Sequence, residues 1–191
     1  MNKTRQNRSL KERFSRDVLE LVKGSFQDVV MSSSFGKYSA VTLHLVASEI
    51  PGVPVINIRL GQETPETEQH RRRLREMLDL DLRIYSEHEG ESKSHVFSHA
   101  LEDVGAKTLI SGLMWEETSH REDFEYIMFD EDAGLYRIHP ILHWRESDLA
   151  AYCRLHDLPV NGNYHDPNKE ESEKKECGIH VFDYEKDGSG I

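Results

Sequence analysis

The sequence has little of several features, and each shortage narrows the kind of protein it encodes. Among 191 residues there are only two cysteines, Cys153 and Cys177, which is too few for a disulfide scaffold. In a reducing cytosol each is expected to be a free thiol. No apolar run approaches the roughly 20 residues that a membrane-spanning helix needs, and residues 1–8 lack the apolar core of a signal peptide. We therefore expect a cytoplasmic protein that does not enter a membrane.

Basic residues are outnumbered by acidic ones. The chain carries 24 lysines and arginines against 35 aspartates and glutamates, which gives a net charge of −11. Non-specific binding to nucleic acid depends on a basic surface that attracts the phosphate backbone, so we expect no nucleic-acid partner. An anionic small molecule would have to be held by a local basic cluster, against the field of the whole chain.

What the chain does contain is a regular alternation of strand and helix signals. Short runs rich in β-branched residues are separated by amphipathic stretches, with Gly or Pro at the boundaries. This alternation predicts an α/β fold, a mostly parallel twisted sheet with helices on both faces. The predicted strands are 29–31, 53–60, 82–85 and 108–110, a hairpin covers 124–138, and the predicted helices are 9–23, 40–49, 65–80, 96–104 and 147–155.

Composition divides the chain into two parts. Residues 1–160 hold the strand and helix signals and are predicted to form one nucleotide-binding α/β domain. From Pro159 onward Asn, Gly, Asp, Lys and Glu prevail, and there is little apolar surface to bury. Segments of this composition do not repay the entropy of ordering. We predict that residues 161–191 form a flexible C-terminal tail that carries Cys177.

Two helices have faces that can be predicted. Leucine, phenylalanine and valine recur at three- and four-residue spacing in the first helix, which predicts a buried stripe. The third helix carries a cluster of arginines, and consecutive residues point around a helix, so they cannot all face one ligand. We interpret them as a solvated face with one or two turned inward. The stripe is Leu10, Phe14, Val18, Leu21 and Val22, and the arginines are Arg71, Arg72, Arg73 and Arg75.

The loop after the first strand is the strongest candidate for a ligand site. The strand ends at Met31 and is followed by Ser32-Ser33-Ser34-Phe35-Gly36-Lys37-Tyr38-Ser39 and a helix. Small residues let backbone N–H groups approach a ligand closely, and the helix directs its positive end at the loop. Lys37 adds a point charge and Ser39 a hydroxyl, both suited to phosphate oxygens. The alternative is an ordinary strand-to-helix turn capped by Ser39.

The tail contains a thiol in a chemically suggestive setting. Cys177 lies in Lys174-Lys175-Glu176-Cys177-Gly178-Ile179-His180, within a stretch of charged residues. Neighbouring lysines and a histidine are expected to lower the pKa of the thiol and to raise its thiolate fraction. The sequence therefore favours a reactive thiol over an incidental surface cysteine.

A zinc site is the competing interpretation of the cysteines. Cys153 and His156, like Cys177 and His180, form a Cys-x-x-His pair, and two such pairs supply the ligands of a tetrahedral site. The spacing between the pairs fits no finger type, and the apolar face of a helix explains Cys153. We therefore predict no bound metal.

Five segments resemble, in the same order, those of the phosphoadenosine-phosphosulfate reductase family. The resemblance spans about residues 25 to 180, and its first and last segments are specific in combination. The segments are Ser32-Ser33-Ser34-Phe35-Gly36, Pro65-Glu66-Thr67, the Gly112-Leu113 loop reaching Arg121, Pro140-Ile141-Leu142-His143-Trp144, and Glu176-Cys177-Gly178-Ile179-His180.

The resemblance implies an adenine nucleotide α-hydrolase-like fold and a thiol-dependent reduction. In such enzymes a cysteine thiolate attacks the sulfur of the phosphosulfate, forms a cysteine S-sulfonate and releases an adenosine bisphosphate, and thioredoxin or glutaredoxin thiols then release sulfite. Carried over, Cys177 is the nucleophile and His180 accompanies it in the same motif. The 32–36 loop cradles the nucleotide, with Gly112 on the same rim, and Arg121 contacts the phosphosulfate.

Some segments differ from the family pattern and keep two alternatives open. Arg59-Leu60-Gly61-Gln62 replaces an Asp-Thr-Gly-Tyr-like stretch, and Met114-Trp115 replaces a pair of arginines. The segment 34–39 also resembles the Ser-Gly-Gly-Lys-Asp-Ser pattern of ATP pyrophosphatases, which adenylate substrates or transfer sulfur. The second alternative is a non-catalytic nucleotide-binding relative. The paired cysteines of the cluster-containing branch are absent, so we predict no iron–sulfur cluster; a homodimer is left open.

Overall fold

The computed structural model describes residues 3–59, 63–86, 92–117 and 123–162, with side chains from Ser9 onward. Helices and strands alternate along this part of the chain, close to the predicted positions. The helices are α1 (Lys3–Ser25), α2 (Ser39–Glu49), α3 (Pro65–Leu78), α4 (Lys93–Asp103) and α5 (Glu146–Leu155). The strands are β1 (Val29–Ser32), β2 (Pro54–Arg59), β3 (Asp81–Ser86), β4 (Thr108–Ile110), β5 (Ile127–Asp130) and β6 (Leu135–Ile138).

The strands form one six-stranded sheet in the order β3-β2-β1-β4-β6-β5. All neighbours are parallel except β5 and β6, which form the predicted antiparallel hairpin. From β1 the chain builds β2 and β3 on one side, and it then returns to place β4 on the other. This reversal leaves a crevice at the carboxyl ends of β1 and β4, where ligands bind in open parallel sheets.

Both faces of the sheet are covered by helices, which confirms the predicted fold class. Successive strand residues point to opposite faces, so Met31 and Val30 enter different apolar clusters. The first cluster contains Met31 with buried residues of α1, α2, α3 and α5. The second contains Val30 with one face of α4, including Phe97. The sheet therefore has α1, α2, α3 and α5 on one face and α4 on the other.

The predicted stripe on α1 was wrong in three of its five residues. Val18 and Val22 are buried, but Leu10, Phe14 and Leu21 are largely exposed. The buried face instead includes Leu19 and the polar Ser15. The hydroxyl of Ser15 donates to Pro140 O at 2.6 Å and accepts from Trp144 Nε1 at 3.0 Å. A buried serine with tertiary partners is not visible in a hydrophobic pattern.

The start of α3 follows its sequence signals. Thr64 is the N-cap residue and its Oγ1 accepts from the backbone N–H of Thr67 at 3.3 Å. Pro65 occupies the first turn, where its missing N–H costs no helical hydrogen bond. Among the arginines of α3, Arg71 is turned inward and only 4% exposed, in agreement with the interpretation that one or two point into the protein.

Several sequence predictions lie outside the described residues. These include Arg121 and, within residues 163–191, the thiol Cys177 and His180. Of the predicted tail, only Asn161 and Gly162 are described. Across the described ranges, none of the helices combines the length and apolarity that crossing a bilayer requires.

Candidate active site

A cleft opens at the carboxyl ends of β1 and β4, where the strand order reverses. Its cavity volume is about 450 Å³, within the usual range for small-molecule sites. Most of the predicted nucleotide-binding residues that the structure describes line it. These are Ser32, Ser33, Ser34, Gly36, Lys37, Ser39 and Gly112.

Hydroxyl groups organise the loop between β1 and α2. The N–H of Phe35 donates to Ser33 Oγ and the N–H of Gly36 donates to Ser34 Oγ, each at 3.2 Å. The hydroxyl of Ser39 donates to Gly36 O at 2.9 Å. The N-cap of α2 is Tyr38, without a side-chain capping bond, so the alternative of a turn capped by Ser39 was wrong. The helix presents its uncapped, positive end to the cleft.

Phe35 is the one described member of the predicted loop whose side chain does not line the cleft. Its ring is fully buried in the cluster under α2, while its backbone has a left-handed φ of 56°. The reason is packing: the ring enters the core and the backbone must turn sharply to carry the loop back over it. Phe35 therefore offers a ligand only its backbone.

A buried polar network supports the loop from behind. The side-chain amide of Asn57, on β2, donates to Ser33 O at 2.9 Å. Arg71 donates to the Asn57 side-chain oxygen at 3.3 Å and to both carboxylate oxygens of Glu63 at 2.6 Å. This network was missed by sequence reasoning. A lone asparagine in an otherwise apolar central strand was the available signal, because a buried amide needs partners.

Asn161 contacts the loop from the other end of the described chain. Its side-chain amide donates to Phe35 O and to Thr67 Oγ1, both at 3.2 Å. Its backbone N–H donates to Lys37 O at 3.2 Å. The side chain is 4% exposed. Asn161 was assigned to the tail by composition, but its contacts attach it to the loop.

One lysine and two glutamates line the cleft. Lys37 Nζ donates to Glu146 Oε1 at 2.6 Å, and this hydrogen bond is the main cause that raises the pKa of Lys37. Both side chains are largely exposed, so the pair contributes little to stability. Glu116 also lines the cleft and accepts from the backbone N–H of Glu146 at 2.8 Å. An anion that engages Lys37 must therefore compete with a carboxylate.

The floor of the cleft is tightly packed at Gly112. A Cβ added there would lie 2.8 Å from Thr42 Oγ1, on α2, which is closer than side chains tolerate. Beside it, the hydroxyl of Ser111 shares a 2.9 Å hydrogen bond with Nδ1 of the buried His139. Glycine at position 112 thus lets the end of β4 lie directly against α2 and keeps the cleft open.

Cys153 lies in α5, away from the cleft, within the buried apolar cluster. Burial raises the pKa of its thiol to about 11. His156 lies 3.7 Å from the carboxylate of Glu12. In the part of the chain that the structure describes, there is no group of three or more His, Cys, Asp or Glu residues arranged to hold a metal ion. The other half of the zinc interpretation, Cys177 with His180, lies outside that part.

Comparison with known proteins identifies the family of this chain. The family model described as phosphoadenosine phosphosulfate reductase domain matches residues 28–99 and 91–166. A phosphoadenosine 5'-phosphosulfate reductase from Synechococcus sp. is 29% identical, over 93% of this chain and 97% of its own.

Solved structures show the same architecture. The phosphoadenylyl-sulfate reductase from Candida auris, in a phosphate complex, superposes with a TM-score of 0.67 at 19% identity, over 77% of this chain and 81% of its own. The yeast FAD synthetase in complex with FAD gives 0.72 at 17% identity, over 86% and 64%. The fold is therefore the adenine nucleotide α-hydrolase-like fold expected from the sequence. Within that fold class, the chain belongs to the phosphoadenosine phosphosulfate reductase domain family.

Proposed function

We propose that this protein reduces an adenine sulfonucleotide, phosphoadenosine phosphosulfate or adenylyl sulfate, to sulfite and the adenosine phosphate. The observation that carries the proposal is the cleft itself: in a chain of this family, the predicted phosphate loop lines a cavity of nucleotide size where the strand order reverses. Relatives of the chain bear the name of this activity.

The nucleotide is assigned to the loop between β1 and α2. Backbone N–H groups, the hydroxyls of Ser33 and Ser34, and the positive end of α2 together form an anion-binding surface. Lys37 supplies a full charge once it leaves Glu146. By resemblance to the family, Arg121 contacts the sulfo end.

The chemical step is a transfer of the sulfo group to a thiolate. The Sγ of Cys177 attacks the sulfur, and a new sulfur–sulfur bond forms. The bond from that sulfur to the bridging phosphate oxygen breaks, and its electron pair leaves on the phosphate. The products are a Cys177 S-sulfonate and the adenosine phosphate. His180 and the neighbouring lysines favour the thiolate form of Cys177.

A dithiol protein of the thioredoxin or glutaredoxin type completes the cycle. One of its thiolates attacks Cys177 Sγ, and sulfite leaves with the electron pair of the sulfur–sulfur bond. The second thiol of the donor then resolves the mixed disulfide, which restores the Cys177 thiolate and leaves the donor oxidised by two electrons. Neither step calls for an iron–sulfur cluster.

The properties of Cys153 support the choice of Cys177. A thiol with a pKa near 11 is almost entirely protonated at neutral pH, and the protonated form is a poor nucleophile. Cys153 is also only 2% exposed and does not line the cleft. Of the two cysteines in the chain, Cys177 is therefore the one we assign to the reaction.

The test is incubation with phosphoadenosine phosphosulfate in the absence of a reductant, followed by intact-protein mass spectrometry. The wild-type protein should gain the mass of one SO₃ group, and added thioredoxin should remove it and release sulfite. Cys177→Ser should gain nothing while still binding adenosine 3',5'-bisphosphate. Cys153→Ala is the matched control and should behave as wild type. An adduct that disappears in Cys153→Ala instead would contradict the assignment.

A parallel incubation with ATP distinguishes the proposed function from the second candidate, an ATP pyrophosphatase-type activity. Lys37 and Ser39, which match the pattern of that group, both line the cleft. Incubation with ATP and Mg²⁺ would then yield AMP and pyrophosphate, with no sulfonate adduct from the sulfonucleotide. Binding of nucleotide without either reaction would favour the non-catalytic alternative.

A further inference from the structure

In the loop between β1 and α2, every second backbone carbonyl, at residues 33, 35 and 37, accepts a hydrogen bond from an asparagine elsewhere in the chain. Ser33 O accepts from the Asn57 side chain. Phe35 O accepts from the Asn161 side chain, and Lys37 O accepts from the Asn161 backbone N–H. These partners are asparagines that are almost fully buried, at 1% and 4% exposure.

The planar peptide bond converts this pattern into a direction for the N–H groups. In a trans peptide the C=O of one residue and the N–H of the next point in opposite directions, and the described chain contains no cis peptide. Fixing three carbonyls on the protein side therefore directs the next three N–H groups to the other side. These belong to Ser34, Gly36 and Tyr38, and all three residues line the cleft. Without a ligand the Gly36 N–H donates to Ser34 Oγ at 3.2 Å, so an anion has to replace that hydroxyl as its acceptor.

We propose that Asn161 is a positioning residue: through its side chain it directs the Gly36 N–H, and through its backbone the Tyr38 N–H, at an anionic group in the cleft. Asn57 does the same for the Ser34 N–H. The ligand class is a phosphate or phosphosulfate oxygen, and the inference deepens the proposed function, on which its choice of nucleotide rests. Because the backbone that carries these donors is already oriented, it needs little rearrangement when an anion arrives.

The position of Asn161 along the chain has a second consequence. It is the point at which the chain leaves the loop for the segment that contains Cys177. One residue thus fixes both the amides that receive the nucleotide and the origin of the segment that supplies the thiol. We expect the side-chain contact to affect sulfo transfer as well as binding.

The first measurement is calorimetry with adenosine 3',5'-bisphosphate and with pyrophosphate. Asn161→Ala keeps the backbone bond to Lys37 O but loses both side-chain bonds, and its affinity should fall about tenfold. Asn161→Asp keeps the size of the side chain but replaces the donor by an oxygen, and it should lose more. Thr67→Val is the matched control, since it removes the bond to α3 and leaves the bond to Phe35 O, and its affinity should stay within about twofold.

The second measurement is the amide spectrum of ¹⁵N-labelled protein during the same titration. In the wild type, the amide protons of Ser34, Gly36 and Tyr38 should move on ligand addition. In Asn161→Ala the Gly36 response should be lost, whereas Ser34, held by Asn57, should still respond. A residue that only stabilises the fold would not separate these two amides.

Three results would overturn the inference. The first is unchanged affinity in both Asn161→Ala and Asn161→Asp. The second is an equal loss of affinity in Thr67→Val and Asn161→Ala. The third is a wild-type protein in which neither probe moves the signals of the loop amides. A failure of the proposed function would give a different set of results. In that case the wild type forms no S-sulfonate with phosphoadenosine phosphosulfate, yet the bisphosphate or pyrophosphate still moves the three amides and the Asn161 variants still weaken binding.

Discussion

Phe35 combines two features that usually exclude one another. Its side chain is fully buried in the core, while its backbone has a φ of 56°, in the left-handed region that favours glycine. The related ATP pyrophosphatase pattern has glycine at this position. The apolar core gains a large ring here at the expense of a strained backbone, and the loop that lines the cleft inherits that strain.

This conflict predicts a reversed order of stability for two substitutions. Phe35→Ala should lose about 3–5 kcal/mol of unfolding free energy because it removes a buried ring. Phe35→Gly removes the same ring but relieves the left-handed strain, so it should be more stable than Phe35→Ala by about 1 kcal/mol. Urea denaturation of the two variants measures the difference.

Phe97 provides the matched control for that experiment. It is equally buried but lies inside α4, where the backbone is helical. There glycine should be worse than alanine by about 1 kcal/mol. If glycine is worse than alanine at both positions, the left-handed backbone of Phe35 is not a source of strain.

At the scale of elements, the second turn of α3 carries two ionisable side chains into the protein interior. His70 and Arg71 are both buried, at 7% and 4% exposure. Arg71 is paired with Glu63. Burial, with the charge of Arg73 as a smaller cause, lowers the pKa of His70 to about 4. His70 is therefore neutral in the folded protein at physiological pH.

The His70 pKa predicts that acid destabilises the fold through α3. Because the folded-state pKa is lower than the unfolded value of 6.5, the unfolded chain binds more protons below that value. Stability should fall as the pH falls from about 6.5 towards 4, by up to roughly 3 kcal/mol from this group. His70→Leu should remove part of this loss in urea melts at pH 5 and pH 7.

The exposed His99, on α4, is the control for the acid experiment. His99→Leu removes an exposed imidazole and leaves the buried one of His70 in place, so its difference in stability between pH 5 and pH 7 should match that of the wild type. The buried histidine would not be the cause of acid sensitivity if His70→Leu and His99→Leu had the same pH dependence.

At the scale of the whole molecule, the sheet, both apolar clusters and the cleft lie within the described residues up to Gly162. Composition drew the boundary of the first domain at residue 160. The contacts of Asn161 with Phe35, Thr67 and Lys37 support a boundary after Gly162 instead. We propose this division, with Cys177 in the second part.

Two truncations that differ by two residues test that division. The chain ending at Gly162 should fold, bind adenosine 3',5'-bisphosphate about as well as the full chain, and form no S-sulfonate. The chain ending at Val160 loses both the side-chain and the backbone bonds of Asn161, so it should bind more than about tenfold more weakly and melt at a lower temperature. Calorimetry and thermal melts compare the two, and equal behaviour would place the boundary at residue 160 as composition predicted.

The local sequence determined the order of helices and strands, the position of the loop between β1 and α2, and the hairpin. These depend on near neighbours: β-branched runs such as 53–60, the Thr64-Pro65 start of α3, and the serines and glycine after Met31. Burial periodicity and turn chemistry act over a few residues, so a single sequence carries them. The resemblance to the reductase family also rests on short segments, and the family model that matches residues 28–99 and 91–166 confirms it.

Only the tertiary structure decided which side chains of the loop line the cleft and what holds the loop in place. The sequence predicts that Phe35 is part of the binding loop, but its ring packs in the apolar core under α2. Asn161 reads as tail, but hydrogen bonds to Phe35 O and Thr67 Oγ1 hold it against the sheet. Partners such as Asn57 and Ser33 or Lys37 and Glu146 are far apart in sequence, and a buried amide or an exposed lysine gives no local sign of the group it will meet. Their contacts exist only because the sheet order brings β1, β2, α3 and α5 together.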